Sequence, residues 1–385
     1  MENRQVIVVG GGLVGALTAL LLAQKGEYIH LIENKDLISP LENSPFDLRV
    51  SAFSAQSKKL LELAGVWNLL PKNRLCAYQR LQTWEKGSEK LCFDSTEIGL
   101  DALGYIAENR WIQAVLWQSL KSCANVRFYE GREVRTLHNA DSGVSVYLDN
   151  NQRIDAQLLI ACDGAKSAVR GLLNIAITAW DYRQHCMLIN IKTDAPEQNI
   201  TWQEFRESGP CAFLPLADNN ASLVWYHHPQ KIKYLNSLSK VQLKKAIIEE
   251  FPVLPFAFSV QDNGSFPLTR RHAQRYYKGS CVLLGDAAHT IHPLAGQGVN
   301  LGFKDVQCLV ELLENSSDLP IPVLLKRYEA KRKPANLLMQ TTMDLFYKSS
   351  KCELDSLRLL RKGILHLAQN SGALKKQVMR YAMGL

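Results

Sequence analysis

A strand that runs straight into three glycines constrains this chain more than any other feature. Val6 to Val9 is a short apolar run, β-branched throughout, and it ends in Gly10-Gly11-Gly12. Gly15 completes the pattern Gly10-x-Gly12-x-x-Gly15. Leu13 to Ala23 follows as an apolar stretch of good helix formers, Gly26 breaks it, and Ile29-His30-Leu31-Ile32 reads as a second strand ending at Glu33. This is a βαβ unit with short connections. Glycines here let the backbone turn tightly and approach a pyrophosphate, and the helix that begins beside them offers N–H groups to the phosphates. Gly10, Gly12, Leu13, Val14 and Gly15 are therefore candidate cofactor contacts. Glu33 lies 21 residues past Gly12, where an acidic side chain accepts a hydrogen bond from a ribose hydroxyl. A glycine-rich turn without a ligand accounts for the glycines alone, but not for the strand, the helix and the acid together. Dinucleotide binding is the expectation, although this motif does not separate FAD from NAD.

Two later motifs repeat the logic of a strand delivering polar residues. Leu158-Leu159-Ile160-Ala161 leads into Cys162-Asp163-Gly164-Ala165-x-Ser167-x-x-Arg170. Asp-Gly after a strand is also ordinary turn chemistry, and both readings stay open for Asp163. Val282-Leu283-Leu284 leads into Gly285-Asp286-Ala287-Ala288-His289, then into Pro293-Leu294-Ala295-Gly296-Gln297-Gly298-Val299-Asn300-Leu301-Gly302 and Asp305. Here the strand brings Gly285 and Asp286 to a polar ligand. The loop from Pro293 through Gly296, Gln297, Gly298, Val299 and Asn300 opens a helix whose N-terminus suits the negative charge of a reduced flavin ring. His289 and His292 sit three apart beside Asp286, but no third ligand is evident and no metal is expected.

Composition narrows the class. At 385 residues, 46% hydrophobic and 21% charged, the chain reads as an ordinary globular protein of two domains, or of one domain with an insertion. No segment reaches the about 20 consecutive apolar residues of a spanning helix, and no signal peptide is visible. The nine cysteines stand singly with no CxxC pair, which argues against a disulfide framework or zinc site and for a reducing compartment. The net charge of +8 is concentrated at the end: residues 326–385 hold 13 Lys and Arg against 4 Asp and Glu, and the rest is close to neutral. Such asymmetry suggests an acidic partner, either nucleic acid or an anionic membrane surface. The expected location is cytoplasmic, peripheral where the basic end meets an anionic membrane.

The fold expected is α/β: a Rossmann-like nucleotide-binding domain with an inserted antiparallel β-sheet substrate domain and a C-terminal helical tail. Residues 1–70, 103–177 and 280–325 would form the discontinuous nucleotide domain. Residues 71–102 and 178–279, with alternating runs such as Met187–Lys192 and Ser222–Tyr226, would form the substrate domain. Residues 326–385 would form the basic helical tail.

The three motifs, in this order and at this separation, resemble the para-hydroxybenzoate hydroxylase class of flavoprotein monooxygenases over the whole chain. Arg49-Val50-Ser51-Ala52-Phe53-Ser54, Gly104–Asn109, Phe213–Leu216, Phe266–Leu268, Ser222–Tyr226, Met343–Tyr347 and the ending Tyr381–Leu385 look like the ubiquinone-biosynthesis hydroxylases of that class. Phe53 departs from the Leu or Ile that relatives often carry. The resemblance implies FAD as cofactor, held by the first motif at its ADP half, by Arg49, by Asp163 and by Asp286 along the ribityl chain. It implies NAD(P)H as reductant, O2 as co-substrate and a prenylated benzoquinol as the ring hydroxylated. Proteins of a ubiquinone-biosynthesis complex and an anionic membrane surface are the expected partners; nucleic acid has no evident use here. No general base can be named, and His289 and His185 are the candidates. The alternatives are the same chemistry at another ring position or on a soluble phenol, and a non-catalytic FAD or prenyl-lipid scaffold. A yellow protein that bleaches with NAD(P)H would exclude the scaffold.

Overall fold

The computed structural model describes residues 4–36, 40–41, 44–140, 143–252, 254, 256–293, 296–316, 318–350 and 372. The run Val6–Val9 forms the centre of a six-stranded sheet because it is apolar on both faces and buried on both. Strand Gln5–Val9 pairs in parallel with Tyr28–Glu33 on one side and with Leu158–Ala161 on the other. Val126–Glu130 extends the sheet beyond the first neighbour, Cys281–Leu283 beyond the second, and the short strand Tyr277–Lys278 closes the edge antiparallel. Helix Leu13–Gln24 is buried from Gly15 to Ala23, as a helix apolar all round must be. It lies between helix Asn109–Lys121 and helix Gln297–Asn315. The chain leaves the central strand toward one neighbour and returns through the other. That is a topological switch point, and the crevice for a ligand opens at the carboxyl ends of the strands.

The second body is an eight-stranded sheet. Its order is His289–Thr290, Phe258–Ala273, Ile177–Thr193, Asn220–His227, Cys211–Leu216, Ile200–Phe205, Arg80–Glu85 and Leu91–Asp94. All pairs are antiparallel except Ile200–Phe205 with Arg80–Glu85. Alternation sorts its side chains. Met187, Ile189, Ile191, Leu223 and Trp225 point to one face and are covered by helices Pro229–Asn236 and Lys240–Glu250. Cys186, Val224, Tyr226 and Leu268 point to the other, with Leu188 and Leu214 packed against them. That second face is turned toward the nucleotide-binding half, since the Tyr226 hydroxyl donates to the Pro293 carbonyl at 3.4 Å.

Two short strands cross the expected boundaries. Leu75–Tyr78 lies in the stretch assigned to the substrate domain but pairs with Gly104–Glu108, which also pairs with Val50–Ser54. His289–Thr290 lies in the nucleotide stretch but pairs with the end of Phe258–Ala273. The first belongs to a separate three-stranded sheet, ordered Val50–Ser54, Gly104–Glu108, Leu75–Tyr78, and the second adds an edge strand to the eight-stranded sheet. The long helix Ile321–Ser350 begins the tail; residues 351–385, apart from Gly372, lie outside the described residues, and with them the basic positions Arg361, Lys362, Lys375 and Lys376. No described helix is long and apolar enough to cross a membrane.

Candidate active site

The three glycine and aspartate motifs each follow a strand of the six-stranded sheet, Gln5–Val9, Leu158–Ala161 and Cys281–Leu283. Gly10 has φ +97° and its N–H bonds the Ile32 carbonyl; a Cβ there would stand 2.5 Å from the Cys162 carbonyl oxygen. A Cβ on Gly15 would stand 1.8 Å from the Gly10 carbonyl oxygen, so this glycine lets helix and strand meet. Gly12 is different. It caps helix Leu13–Gln24 without a side-chain hydrogen bond, and a Cβ there would meet nothing within 4 Å. The chain itself thus leaves a cradle beside the first helical turn, with no acidic residue in that turn to compete for the N–H groups. Leu13 and Val14 are half-buried against the core.

Glu33 reaches back across the switch point. One carboxylate oxygen accepts from the Gly11 N–H at 2.5 Å and the other from the Lys35 N–H at 3.1 Å. This fixes the carboxylate at the end of the second strand. The Gly11 carbonyl accepts from Gln113 Nε2 and Trp117 Nε1, both at 2.8 Å. Sequence reading missed these two supports, since a Gln and a Trp inside an amphipathic helix carry no signal of their target.

Asp163 follows strand Leu158–Ala161. Its Oδ2 accepts from the Val169 N–H at 3.1 Å, while its Oδ1 is buried with no partner. A buried acceptor left without a donor is uncommon and points to a missing ligand group. Arg170, from the same motif, donates to the carbonyls of Ala165 and Ala287 and so joins the second motif to the third. Asp286 sits on the turn after Cys281–Leu283 with its side chain open to solvent. It is nevertheless set among enough protein that desolvation raises its carboxyl above the ordinary 3.8, against the opposing pull of His289 and Arg271. Gly285 and Gly302 both pack on Val14: a Cβ would come within 3.2 Å and 2.6 Å of its Cγ2. The first loop and the third are thereby held together at close range.

The helix that faces this crevice starts at Gly296, whose φ is +63°. Asn300 fastens that start. Its Oδ1 accepts from the Ser54 N–H and Ser57 hydroxyl, and its Nδ2 donates to the carbonyls of Ala52 and Gly296. A Cβ on Gly298 would meet nothing within 4 Å, a second open position. Pro293 is half-buried and Val299 packs on the core. Leu294, Ala295 and the side chain of Gln297 lie outside the described residues. Arg49 is exposed at the start of strand Val50–Ser54, and its carbonyl accepts from the Asn109 N–H. The loop before it is clamped by the buried Glu108, which pairs with Arg74 and Arg110 and accepts from the Asp47 N–H.

The two histidines considered as bases lie apart. His289 is 2% exposed and its Nε2 is 2.5 Å from Asp305 Oδ2. Asp305 also accepts from the Gly285 N–H, Arg332 and Asn336. Burial would raise this carboxyl, but His289 and Arg332 outweigh it and hold it at about 2. His185 is half-buried in strand Ile177–Thr193, between His227 and Pro267. His292 is fully buried among Tyr182, Tyr226 and Tyr347, with ring centroids 4.7 to 5.5 Å away.

A glycine cradle against a helix N-terminus, an acid at the end of the second strand, an unpartnered buried carboxylate oxygen and an open Asp286 suit FAD's pyrophosphate, ribose and ribityl chain. Residues 3–342 match the family model described as "FAD binding domain", and the chain belongs to that family. It is a flavoprotein monooxygenase, and within the family it is one of the ubiquinone-biosynthesis hydroxylases. It is 42% identical over 394 residues to "3-demethoxyubiquinol 3-hydroxylase" of Escherichia coli K12, covering 100% of this chain and 99% of the relative. It is 33% identical to "Ubiquinone biosynthesis monooxygenase COQ6, mitochondrial" of Mus musculus, covering 98% of this chain and 90% of that one. The solved structure of p-nitrophenol 4-monooxygenase PnpA from Pseudomonas putida DLL-E4 superposes with a TM-score of 0.80 over 100% of this chain and 99% of that chain. At 18% identity that likeness speaks for the fold alone.

Proposed function

We propose that this chain hydroxylates the ring of a prenylated benzoquinol of the 2-octaprenyl-3-methyl-6-methoxy-1,4-benzoquinol type. The observation that carries the reading is the full-length, 42% identity to the E. coli enzyme named for 3-demethoxyubiquinol. In this reading the Gly10–Gly15 loop and the N-terminus of helix Leu13–Gln24 hold the pyrophosphate, and Glu33 holds the adenosine ribose. Asp163, Asp286 and Arg49 hold the remainder of the dinucleotide, and the Pro293–Asn300 segment supports the flavin ring. Bound there, FAD supplies the chemistry: it passes electrons from NAD(P)H to O2 and delivers one oxygen atom to the ring.

What the chain supplies is placement and exclusion. The N-terminal dipole of helix Gln297–Asn315 favours negative charge on the ring beside it. The second face of the large sheet, with Leu188, Leu214 and Val224, offers an apolar wall that keeps water from the reacting atoms. His289 acts through Asp305 to set the Gly285–Asp286 turn, as a positioning residue. The substrate ring is activated by its own hydroxyls, so the reading requires no nucleophile from the protein. Cells lacking this protein are expected to accumulate the precursor that lacks one ring oxygen and its methyl, read by mass spectrometry of their quinones. Accumulation of an earlier intermediate would move the reaction to another ring position.

The basic end of the chain, in this reading, brings the crevice to the lipid that carries the substrate. Each basic side chain near an anionic surface contributes roughly 1 kcal/mol, so four to six localise a protein reversibly. Changing Arg361, Lys362, Lys375 and Lys376 to Gln is expected to reduce sedimentation with anionic liposomes and to leave flavin content unchanged. Sedimentation insensitive to both the changes and added salt would remove the electrostatic account.

A further inference from the structure

We propose that Asn190 and Ser222 form the polar pair that receives a ring hydroxyl of the quinol, and that Asn190 selects the reduced ring over the quinone. The inference rests on the substrate reading above. The two residues face each other across strands Ile177–Thr193 and Asn220–His227, which places them on one face of the sheet within about 5 Å at Cβ. It is the face that carries Leu188, Val224 and Tyr226, and Tyr226 donates to the Pro293 carbonyl of the flavin-ring segment.

The orientation of the Asn190 amide is settled by its partners. Its Nδ2 donates to the Phe46 carbonyl at 2.9 Å and the Asp47 carbonyl at 3.2 Å. Both are acceptors, so the amide nitrogen must be the atom that faces them, and Oδ1 must face elsewhere. That oxygen is buried and has no hydrogen-bond partner. The Ser222 hydroxyl is likewise buried without a partner. Asn190 is 3% exposed and Ser222 is 0% exposed. Two neighbouring orphaned oxygens on an otherwise apolar wall are costly in the free protein, and a bound donor relieves them. The loop that orients Asn190 continues through Arg49 into strand Val50–Ser54, whose Ala52 lies against Gly296. Asn190 is thereby joined, through this loop, to the strand that meets the start of the flavin-ring helix.

The donor requirement gives the selectivity. Asn190 Oδ1 only accepts. A quinol offers an O–H to it, whereas a quinone offers a carbonyl oxygen, acceptor against acceptor. The reduced ring is also the electron-rich one that an oxygen transfer needs. A site built to bond a hydroxyl rejects the analogue without it, because its own buried groups are then left unpaired.

The test uses the FAD-loaded full chain and a 6-methoxy-3-methyl-1,4-benzoquinol with a short alkyl tail, its quinone and its mono-O-methyl ethers. Binding is read by quenching of flavin fluorescence without O2. The holoenzyme is expected to prefer quinol over quinone by about tenfold or more, and Asn190→Ala to bring the two within about threefold, whereas Ser222→Ala, which removes a hydroxyl able to donate or accept, weakens binding of both forms alike. Ser222→Ala should keep or raise the melting temperature, since it deletes a buried hydroxyl that bonds nothing in the free chain. A lowered melting temperature with unchanged affinity for both forms would make the hydroxyl structural and overturn the proposal. A holoenzyme that hydroxylates the quinol while Asn190→Ala keeps full selectivity overturns this inference alone. A holoenzyme that binds neither form overturns the substrate reading and the inference with it.

Discussion

Gly12→Val should give a folded protein that has lost its flavin. The Cβ direction at Gly12 is open in the chain, and the backbone there is extended at φ −66°, ψ −176°, a conformation valine adopts without strain. The added side chain enters the cradle at the first helical turn, where the pyrophosphate must approach. A loss of FAD affinity of about a hundredfold or more, or ~2.7 kcal/mol, is expected. Gly15→Val is the contrasting variant. Its Cβ would fall 1.8 Å from a backbone oxygen, so helix Leu13–Gln24 must shift off the central strand. Overpacking of that kind costs about 3 kcal/mol or more and should appear first as instability. Absorbance of bound flavin against circular dichroism separates the two. Full flavin in a folded Gly12→Val protein would remove this loop from the pyrophosphate.

Asp305→Ala is expected to destabilise by about 3–5 kcal/mol, because it strands Arg332 and His289 in a buried site. That is a large share of the about 5–15 kcal/mol that holds a typical domain together. It should also weaken FAD, since the Gly285 N–H that starts the Asp286 turn loses its acceptor. Asp305→Asn adds a pH signature. The folded carboxyl is held at about 2, below its ordinary 3.8. A depressed carboxylate stabilises the fold fully above the unfolded value, and the contribution, about 2 kcal/mol, is lost as pH falls from about 4 through about 2. The melting-temperature gap between the native chain and Asp305→Asn should therefore be constant above pH 5 and shrink below pH 4. A gap that does not change with acid would show that the ion pair is not what Asp305 contributes.

The parts that were legible in the sequence are those that backbone geometry demands. Gly10, with its positive φ at the end of a β-branched run, and Gly15, where helix and strand meet, leave few other conformations, and Glu33 follows at the spacing the second strand sets. The alternation of Met187–Lys192 and Ser222–Tyr226 likewise announced antiparallel strands, because a sheet with two different faces imposes a period of two. What escaped were long-range polar partnerships. Nothing in the local sequence says that Trp117 and Gln113 reach Gly11, or that Arg332 in a basic helix ends on Asp305. Charge counting included Arg332 in the basic tail, and it is 11% exposed and paired with Asp305. His289 stood with His185 as a candidate base, and no local signal told that its Nε2 meets Asp305. Asn190 and Ser222 were invisible for the same reason: their meaning lies in the cross-strand register and in partners they lack.

Turnover in 18O2 tests the central claim most directly. The FAD-loaded chain, supplied with NAD(P)H and the short-tailed methoxy-methyl benzoquinol, should yield a product with one added hydroxyl whose oxygen carries the 18O label. Unlabelled hydroxyl, drawn from water, or flavin oxidation that returns the quinol unchanged whatever the reductant, would contradict the account.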